Sequence, residues 1–388
     1  MALQVSGPIS ASQIRTELAG SGPLSLDAVG PRGLAGKPSG IIKYSDFYGK
    51  SSITPGQTFL KLNLRKWAVE HGWDQVSPYS FTLPAGCTIW SDDTAVAALT
   101  IDGSWPGGVT FINEGWVMGM GGKGGGHLGT FGVASPTAST DPIGKNGGHG
   151  ISLGAACTII NRSGAYIAGG GGGGGAGVGL GTYGILVAPG GGGAGGGYAG
   201  DFYGFTTNSN GTLNKSLTLP GVAGGAIGQL GTDAPAISIV VTPSVSFPVV
   251  TGAAGGRIFP GTGGQGGIGG LGIPANLAKG GGAGGGGGYG LRGDWTPQGV
   301  KYMAYNSGGG GGGWGASGGS GYVIRSGYIS QTSQRGGNGG ASNSNGENGA
   351  AYSIYDMLSA GGAGGKGIAL NGYTCNFSDS GTTWGAVS

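Results

Sequence analysis

Reactive and charged residues are scarce in this chain of 388 residues. It has three cysteines and three histidines, and Asp, Glu, Lys and Arg together make up 9% of it, against about 25% in a typical soluble domain. So little charge excludes coiled coils, charged tails and most disordered linkers. The net charge is only +3, from 19 thinly spread basic residues and 16 acidic ones. This argues against nucleic acid as a partner, because phosphate binding needs clustered Lys and Arg.

The sequence also gives no sign of a cofactor or a metal. Cys87, Cys157 and Cys375 lie far apart without a C-x-x-C pair, so neither a disulfide scaffold nor a zinc site is indicated. The N-terminal MALQVSGPIS has neither the basic stretch nor the apolar core of a signal peptide. No run approaches the 18 apolar residues that suggest a membrane span. We therefore expect synthesis in a cytoplasm and no membrane insertion.

Matches to catalytic motifs are expected by chance in a chain with 102 glycines. The G-x-S-x-G pattern at 315–319 lies in a glycine block and not between a strand and a helix. Gly49-Lys50-Ser51 resembles the end of a phosphate-binding loop, but the position of the required earlier glycine holds Tyr44. Only Asp92 and Asp93 adjoin among the acidic residues, so the paired carboxylates of a glycosidase are not indicated. The sequence favours a protein that is not an enzyme.

Uneven composition divides the chain into three regions. Residues 1–50 have few glycines, residues 51–118 hold five of the eight tryptophans, and most glycine blocks lie in 119–388. In the middle region, β-branched and aromatic runs bounded by Pro and Gly predict an antiparallel β domain. Its tryptophans are expected in the core rather than in a ligand site. The stretch GVTFINEGWVMGMGG (108–122) is similar in sequence to ACTIINRSGAYIAGG (156–170). A strand followed by glycine is therefore predicted twice.

Short apolar pieces separated by turn signals make up residues 1–50. Each indicates an extended stretch that enters a helical turn, with a Ser or Asp available to cap it, and Ser10 and Gln13 have the spacing of a capping box. The apolar residues that frame these pieces include Ile9, Ile14, Leu24, Val29 and Phe47. A small irregular domain without a special role is the alternative.

Nearly pure glycine blocks such as GGGGGGGAG (169–177) dominate the third region. Flexible linkers contain more Ser, and collagen needs Gly at every third position with abundant Pro, so neither describes these blocks. A polyproline-II type helix of glycine has three residues per turn and no internal hydrogen bonds, so it can bond sideways to its neighbours. The predicted fold class is therefore mainly irregular and β. It comprises a small N-terminal module, an antiparallel β domain and a layered bundle of polyglycine-II helices with long connecting loops, bordered by His127 and His149.

The alternation of glycine blocks with aromatic segments resembles the receptor-recognition adhesins at the tail-fibre tips of T-even-like bacteriophages. The similarity covers about residues 120–370 and lies in the motifs IAGGGGGGGAG (167–177), APGGGGAGGGY (188–198), KGGGAGGGGGYG (279–290) and SGGGGGGWGASGGSGY (307–322). Residues 1–50 resemble a different element, a short module of many phage tail proteins, through ISASQIRTEL, LAGKPSG and SDFYGKS. The resemblance implies a glycine sandwich whose intervening segments are variable loops that touch the host cell.

This resemblance implies a non-catalytic adhesin of the virion tail, made in the host cytoplasm. Its receptor would be a protein or a polysaccharide of the bacterial outer surface. Its other partners would be further phage tail or fibre proteins, reached through residues 1–50 with Ile9, Ile14, Leu24, Val29 and Phe47. The alternative is a structural tip, spike or decoration protein of the virion without direct receptor contact.

Receptor contact is expected in the segments between glycine blocks, because Tyr and Trp give large rigid contact areas. If successive glycine helices are antiparallel, segments two apart leave the bundle at one end. One end would then hold segments 198–220, 257–260, 289–306 and 341–359, and the other end would hold 178–189, 229–251, 271–279 and 322–334. The first end carries the expected receptor-binding residues Tyr203, Phe205, Trp295, Tyr302, Tyr305, Tyr352 and Tyr355. The alternative is that these aromatics cover the flanks of the bundle.

Overall fold

The computed structural model of the chain has few helices and many strands. It describes residues 3–388, apart from 4–6, 18–22, 36, 38, 49–52, 54–55, 72, 128–139, 142, 182–183, 208–212, 230, 233–235, 243–244, 251, 257–283, 286–288, 297–298, 308, 326–339, 342, 346–347 and 349–356. The described helices are α1 (Ala11–Glu17), α2 (Val29–Ala35), a 3-10 turn (Tyr44–Phe47) and α3 (Leu64–Glu70). Among them, no helix has the length and apolar character needed to cross a membrane.

Strands account for most of the regular structure in the described residues. In chain order they are β1 (Thr58–Leu60), β2 (Leu62–Asn63), β3 (Tyr79–Leu83), β4 (Thr88–Trp90), β5 (Leu99–Asp102), β6 (Val109–Asn113), β7 (Trp116–Met118), β8 (Gly126–His127), β9 (Thr140–Asp141), β10 (Ile151–Gly154), β11 (Cys157–Asn161), β12 (Tyr166–Ala168), β13 (Gly177–Gly181), β14 (Gly184–Ala188), β15 (Phe202–Thr207), β16 (Leu213–Leu219), β17 (Ala236–Thr242), β18 (Val245–Val250), β19 (Tyr289–Thr296), β20 (Gly299–Ser307), β21 (Gly321–Arg325), β22 (Met357–Ser359), β23 (Ile368–Ala369), β24 (Cys375–Asp379) and β25 (Thr382–Trp384).

Three parallel sheets replace the antiparallel β domain that the sequence predicted, so that prediction is wrong. The first sheet has the order β1-β4-β7-β12-β25, the second β2-β5-β10-β23 and the third β3-β6-β11-β24, and all pairs are parallel. The chain visits the three sheets in rotation, so each circuit adds one strand to each sheet. The result is a three-sided parallel β-helix. The apolar runs specified strands correctly, but their composition does not distinguish a hairpin turn from a corner that leads to another sheet.

Alternate residues of these strands point inward and form the core of the β-helix. In the first sheet, Phe59, Ile89, Val117 and Ile167 lie in register and are buried. In the second sheet, Leu99 lies in register with Ile151 and both are buried. In the third sheet, Phe111 lies in register with Ile159 and both are buried. Such stacking of apolar side chains, worth about 1.5–3 kcal/mol for each large residue buried, holds the coils together.

The tryptophans of residues 51–118 divide between the core and one outer face. Trp73 and Trp105 are buried and stack with ring centroids 4.4 Å apart, and Trp67 packs against the core from α3. Trp90 and Trp116 instead lie on the outer face of the first sheet. The expectation of a tryptophan core is therefore confirmed for Trp73 and Trp105.

The glycine-rich sequence is inserted at one corner of the β-helix, between the first and second sheets. In the first circuit this corner is the single residue Lys61, and in the second it is residues 91–98. In the third circuit it extends over residues 119–150, and in the fourth over residues 169–367. The chain then returns to complete the β-helix with β23, β24 and β25.

A ten-stranded sheet occupies the connecting segments that were expected to be loops. Its order is β16-β15-β14-β13-β21-β20-β19-β18-β17, with β22 beside β21. Its neighbours are antiparallel except for β13 and β21. The prediction of long connecting loops is therefore wrong for the described parts of these segments. Hairpin strands satisfy backbone polar groups that a loop would leave to water.

Candidate functional site

Seven consecutive glycines, residues 169–175, lie at the centre of the long insertion. Each donates its N–H to a carbonyl of another segment at 2.8–3.0 Å. From Gly170 onward the acceptor segment changes at every residue and recurs at every third. For residues 170–175 the acceptors are segments 144–148, 190–194 and 316–319, while segments 119–125, 309–312 and 361–365 donate to the carbonyls of the same six residues. Six described segments therefore surround this stretch, and the bonds between them satisfy its backbone.

Only glycine fits where these backbones meet. A Cβ added at Gly172 would overlap the carbonyl of Gly362, and one added at Gly171 would overlap that of Gly312. The bundle meets the outer face of the first sheet at the fully buried Trp314, which clusters with Met118, Ala168 and Ala194. The glycine bundle therefore rests on the β-helix through an apolar contact.

Side-chain amides extend the same three-residue pattern at the edge of the bundle. Asn345 and Asn348 accept hydrogen bonds from the N–H groups of Ser317 and Ser320, at 3.0 and 2.8 Å. Asn146 accepts from Ala363 at 2.9 Å. At these edge positions the asparagine Oδ1 atoms take the place of backbone carbonyls.

An ion pair ties the bundle together where it approaches the ten-stranded sheet. Lys123 Nζ lies 2.7 Å from Asp201 Oδ2, and Oδ1 of Asp201 accepts from the N–H of Gly221, also at 2.7 Å. Asp201 immediately precedes β15, and Gly221 follows β16 by two residues. The hairpin of β15 and β16 is therefore fixed at its base.

All of the long described segments leave the bundle at the end remote from the β-helix. The hydrogen bonds show that 119–125, 169–175 and 316–319 run in one direction, and that 144–148, 190–194, 309–312 and 361–365 run in the other. At the near end, within the part of the chain that the structure describes, the chain reverses in tight turns, in which Gly195, Gly196 and Gly315 have positive φ, or passes through the β-helix. At the far end lies the ten-stranded sheet.

The predicted alternation of segments between two ends is consequently wrong. Segments 178–189 and 198–220 were expected at opposite ends, yet β14 and β15 are hydrogen-bonded neighbours in one sheet. Alternation requires each connection between glycine segments to leave the bundle at the opposite end from the one before it. In the described residues, the connections at the near end are instead short turns or circuits of the β-helix, and residues 257–283 lie outside the described part.

The ten-stranded sheet contains the described residues that were predicted to bind a receptor. Tyr203 and Phe205 belong to β15, Trp295 to β19, and Tyr302 and Tyr305 to β20. Because β19 and β20 form one hairpin, in which Asp294 faces Tyr302 across the register, the backbones of Trp295 and Tyr302 are close. Strands β14, β13 and β21 separate β15 from β20. Tyr352 and Tyr355 lie outside the described residues.

The residues predicted for virion attachment cluster around a core of their own. Ile9, Ile14 and Phe47 are buried together, and Leu24 packs against them. Val29 begins α2, and its side chain lies outside the described part. The predicted capping box is confirmed, because the N–H of Ser10 bonds to Oε1 of Gln13 at 2.7 Å and the N–H of Gln13 to Oγ of Ser10 at 3.2 Å.

Acidic and metal-ligating side chains do not gather in the described residues. Groups of three or more His, Cys, Asp or Glu side chains able to hold a metal are absent from that part of the chain. His149 ends the segment that leads into β10, as expected for a residue at the border of the glycine region, and its Nδ1 accepts the N–H of Lys366 at 3.1 Å. The backbone of His127 belongs to the short strand β8.

Comparison with known proteins gives a family and one solved structure. Residues 50–259, more than half of the chain, match the family model described as phage tail fibre adhesin Gp38. The crystal structure of the gp37-gp38 adhesin tip complex of the bacteriophage S16 long tail fibre is similar at 16% identity, over 99% of this chain and 100% of that one. The TM-score between the two structures is 0.37. No curated protein sequence matches the chain.

Proposed function

Because the chain belongs to the phage tail fibre adhesin family Gp38, we propose that it binds a receptor on the bacterial surface as a non-catalytic part of the virion tail. The observation that carries this proposal is the placement of the ten-stranded sheet. The long described segments meet in this sheet, at the end of the bundle remote from the β-helix. A surface held out in this way can reach a cell while the other end stays attached to the particle.

The proposed contact residues are the aromatics of two hairpins. They are Tyr203 and Phe205 on β15, with Trp295, Tyr302 and Tyr305 on β19 and β20. Tyr and Trp dominate binding hot spots because they bury large areas at a small cost in conformational entropy. Tyr352 and Tyr355 are retained in the proposal on the sequence argument alone. The receptor is a protein or a polysaccharide of the bacterial outer surface.

We infer that the glycine segments are polyglycine-II helices that make the surface rigid. A helix with three residues per turn and no internal hydrogen bonds would present its N–H groups to three neighbours in rotation. The three-residue recurrence along 169–175 supports this conformation. Seven such residues would span about 20 Å. The bundle would thus hold the hairpins at a fixed distance from the β-helix.

Residues 1–50 are proposed to attach the protein to other phage tail or fibre proteins. Their separate apolar core, built around Ile14 and Phe47, supports a module that folds locally. Ile41 is 82% exposed in the same region, and Tyr44 and Tyr48 are also exposed. These side chains are available to a partner in the virion.

Adsorption of the purified protein tests this proposal against a purely structural role in the tail tip. An adhesin should bind host cells in a saturable manner and should compete with the phage, lowering the number of plaques. Cells of a resistant strain that lacks the receptor provide the control. A protein that binds neither strain, and that leaves infection unchanged at saturating concentration, would support the structural alternative.

A further inference from the structure

Two of the three cysteines lie opposite each other in the β-helix although they are 218 positions apart in sequence. Cys157 is the first residue of β11 and Cys375 the first residue of β24, and the parallel register pairs them directly. Their Sγ atoms are 3.9 Å apart. Neighbouring strands are about 4.7–4.9 Å apart, within the Cα separations of about 4.4–6.8 Å that disulfides span. A change in side-chain rotamer can therefore bring the two sulfurs into bonding distance.

The pair joins two parts of the β-helix that the long insertion separates. Strands β23, β24 and β25 follow the insertion of residues 169–367, and they meet the earlier circuits through strand pairing with β10, β11 and β12. A covalent bond between β11 and β24 would fasten the returning segment to the circuits that precede the insertion. We propose that Cys157 and Cys375 form a disulfide that closes the β-helix around its glycine-rich insertion once the protein leaves a reducing cytoplasm.

The surroundings of the two thiols suit this oxidation. The S–H of Cys157 donates a hydrogen bond to the sulfur of Cys375. This bond lowers the pKa of Cys375, and together with burial it raises the pKa of Cys157. Cys375 is partly exposed, and Cys157 lines a surface groove of about 480 Å³ together with Thr374 and Asn376. A small oxidant can therefore reach the pair, and Cys375 supplies the attacking thiolate.

The oxidant is a small-molecule disulfide such as oxidised glutathione. The Cys375 thiolate attacks one of its sulfurs, which forms a mixed disulfide and releases one glutathione thiolate. Cys157 then loses its proton and attacks the Cys375 sulfur, which releases the second glutathione thiolate. Two protein thiols are oxidised by two electrons, and one glutathione disulfide is reduced to two thiols that take up the two protons.

Cys87 provides an internal control for this chemistry. It is fully buried in the core of the β-helix, and burial raises the pKa of its thiol. It also lies outside the pair formed by β11 and β24. Under native conditions Cys87 should stay reduced, because buried thiols with a raised pKa react slowly.

The test treats the folded full-length protein with oxidised glutathione, then denatures it and counts free thiols by maleimide mass shift. We expect the count to fall from three to one, with a Cys157–Cys375 cross-linked peptide after proteolysis. The Tm should rise on the order of 5 °C, because a long loop is closed, and dithiothreitol should reverse the rise. Cys87→Ala should keep the cross-link, whereas Cys375→Ser should abolish it together with the rise in Tm.

Several results would overturn the proposal. These are three free thiols after prolonged oxidation, a stable glutathione adduct without the cross-link, a bond that includes Cys87, or a cross-link that leaves the Tm unchanged. Peptide mapping of the wild-type protein decides the question even if a cysteine variant folds poorly. Receptor binding is not needed for any of these readouts, so this test is independent of the proposed function.

Discussion

The side chain of Asn113 donates a hydrogen bond from Nδ2 to Oδ1 of Asn161 at 2.9 Å, within the buried interior of the β-helix. Asn161 in turn donates from its own Nδ2 to Oδ1 of Asp379, also at 2.9 Å. The three residues occupy the last position of β6, β11 and β24, in register. A ladder of amide and carboxylate groups thus follows one corner through three successive circuits and fixes the register of the strands beside it.

Asn161 is the central rung of this ladder, so its removal should be costly. We expect Asn161→Ala to lower the free energy of unfolding by about 2–4 kcal/mol, because Asn113 and Asp379 both lose a partner in or near the interior. Asn376→Ala, an exposed position of β24, should change it by less than about 0.5 kcal/mol. Urea unfolding of both variants measures the difference. Equal effects of the two substitutions would refute a structural role for the ladder.

Close backbone packing in the glycine bundle predicts that a single methyl group is intolerable at its centre. Gly172→Ala places a Cβ against the carbonyl of Gly362, and we expect a loss of more than about 4 kcal/mol or no folded protein. Gly164→Ala is the matched control. It has open space but a φ of +82°, so a loss of only about 1–2 kcal/mol is expected. Expression yield and Tm distinguish the two, and a stable Gly172→Ala protein would contradict the packing described above.

His149 lies where segment 144–149 leads into β10, and it makes the stability of the protein depend on pH. Burial, and secondarily the charge of Lys366, hold the pKa of this imidazole below its ordinary value of 6.5, and only the neutral ring can accept the N–H of Lys366. The folded protein therefore binds this proton less readily than the unfolded chain. The stabilising contribution is complete above about pH 6.5 and is lost as the pH falls through the lowered pKa.

The measurement for His149 is the difference in Tm between pH 7.5 and pH 5. In His149→Asn the side-chain oxygen can still accept a hydrogen bond but does not titrate. This variant should therefore show a smaller loss of Tm on acidification than the wild type. An unchanged loss would mean that other groups cause the acid sensitivity.

Deletion of residues 1–50 should abolish attachment to the virion and leave binding to host cells intact. The core of the β-helix begins with Ile53 and Phe59, and the core formed by Ile14 and Phe47 is separate from it. We expect a chain that starts at residue 51 to fold and to bind cells, yet to be missing from assembled particles. Mass spectrometry of purified virions measures incorporation, and normal incorporation of the shortened chain would disprove the role given to this module.

The sequence predicted the family and the segments that form strands. It also predicted that the glycine blocks must form backbone hydrogen bonds to neighbouring segments. Residues 108–122 and 156–170 are similar in sequence because they form equivalent strands of successive circuits, in which β6 pairs with β11 and β7 with β12. The direction of the strands could not be predicted, because strand propensity carries no information about the sheet that the next strand joins. The return of the chain to the β-helix had a weak signal. Cys375-Asn376-Phe377 and Asp379 repeat the pattern of Cys157-Thr158-Ile159 and Asn161, with a long insertion between them.

The placement of the aromatic segments depended on features that composition does not contain. Whether two glycine segments are joined by a hairpin or by a tight turn is decided by a few residues, such as Gly195 and Gly196 with positive φ. In a run of glycines these residues look like all the others. The aromatic segments could therefore be identified from the sequence, whereas their gathering into one sheet required the structure.

Adsorption by a double variant tests the central claim, that the hairpins of the ten-stranded sheet bind the host. Trp295→Ala combined with Tyr302→Ala removes two aromatic side chains from the hairpin of β19 and β20. The matched control is Tyr373→Ala, an exposed aromatic that follows β23 on the β-helix. We expect the double variant to lose at least about tenfold in affinity for host cells, as removal of hot-spot residues does, with a Tm within about 2 °C of the wild type. The control should bind normally. Normal adsorption by the folded double variant would contradict the account.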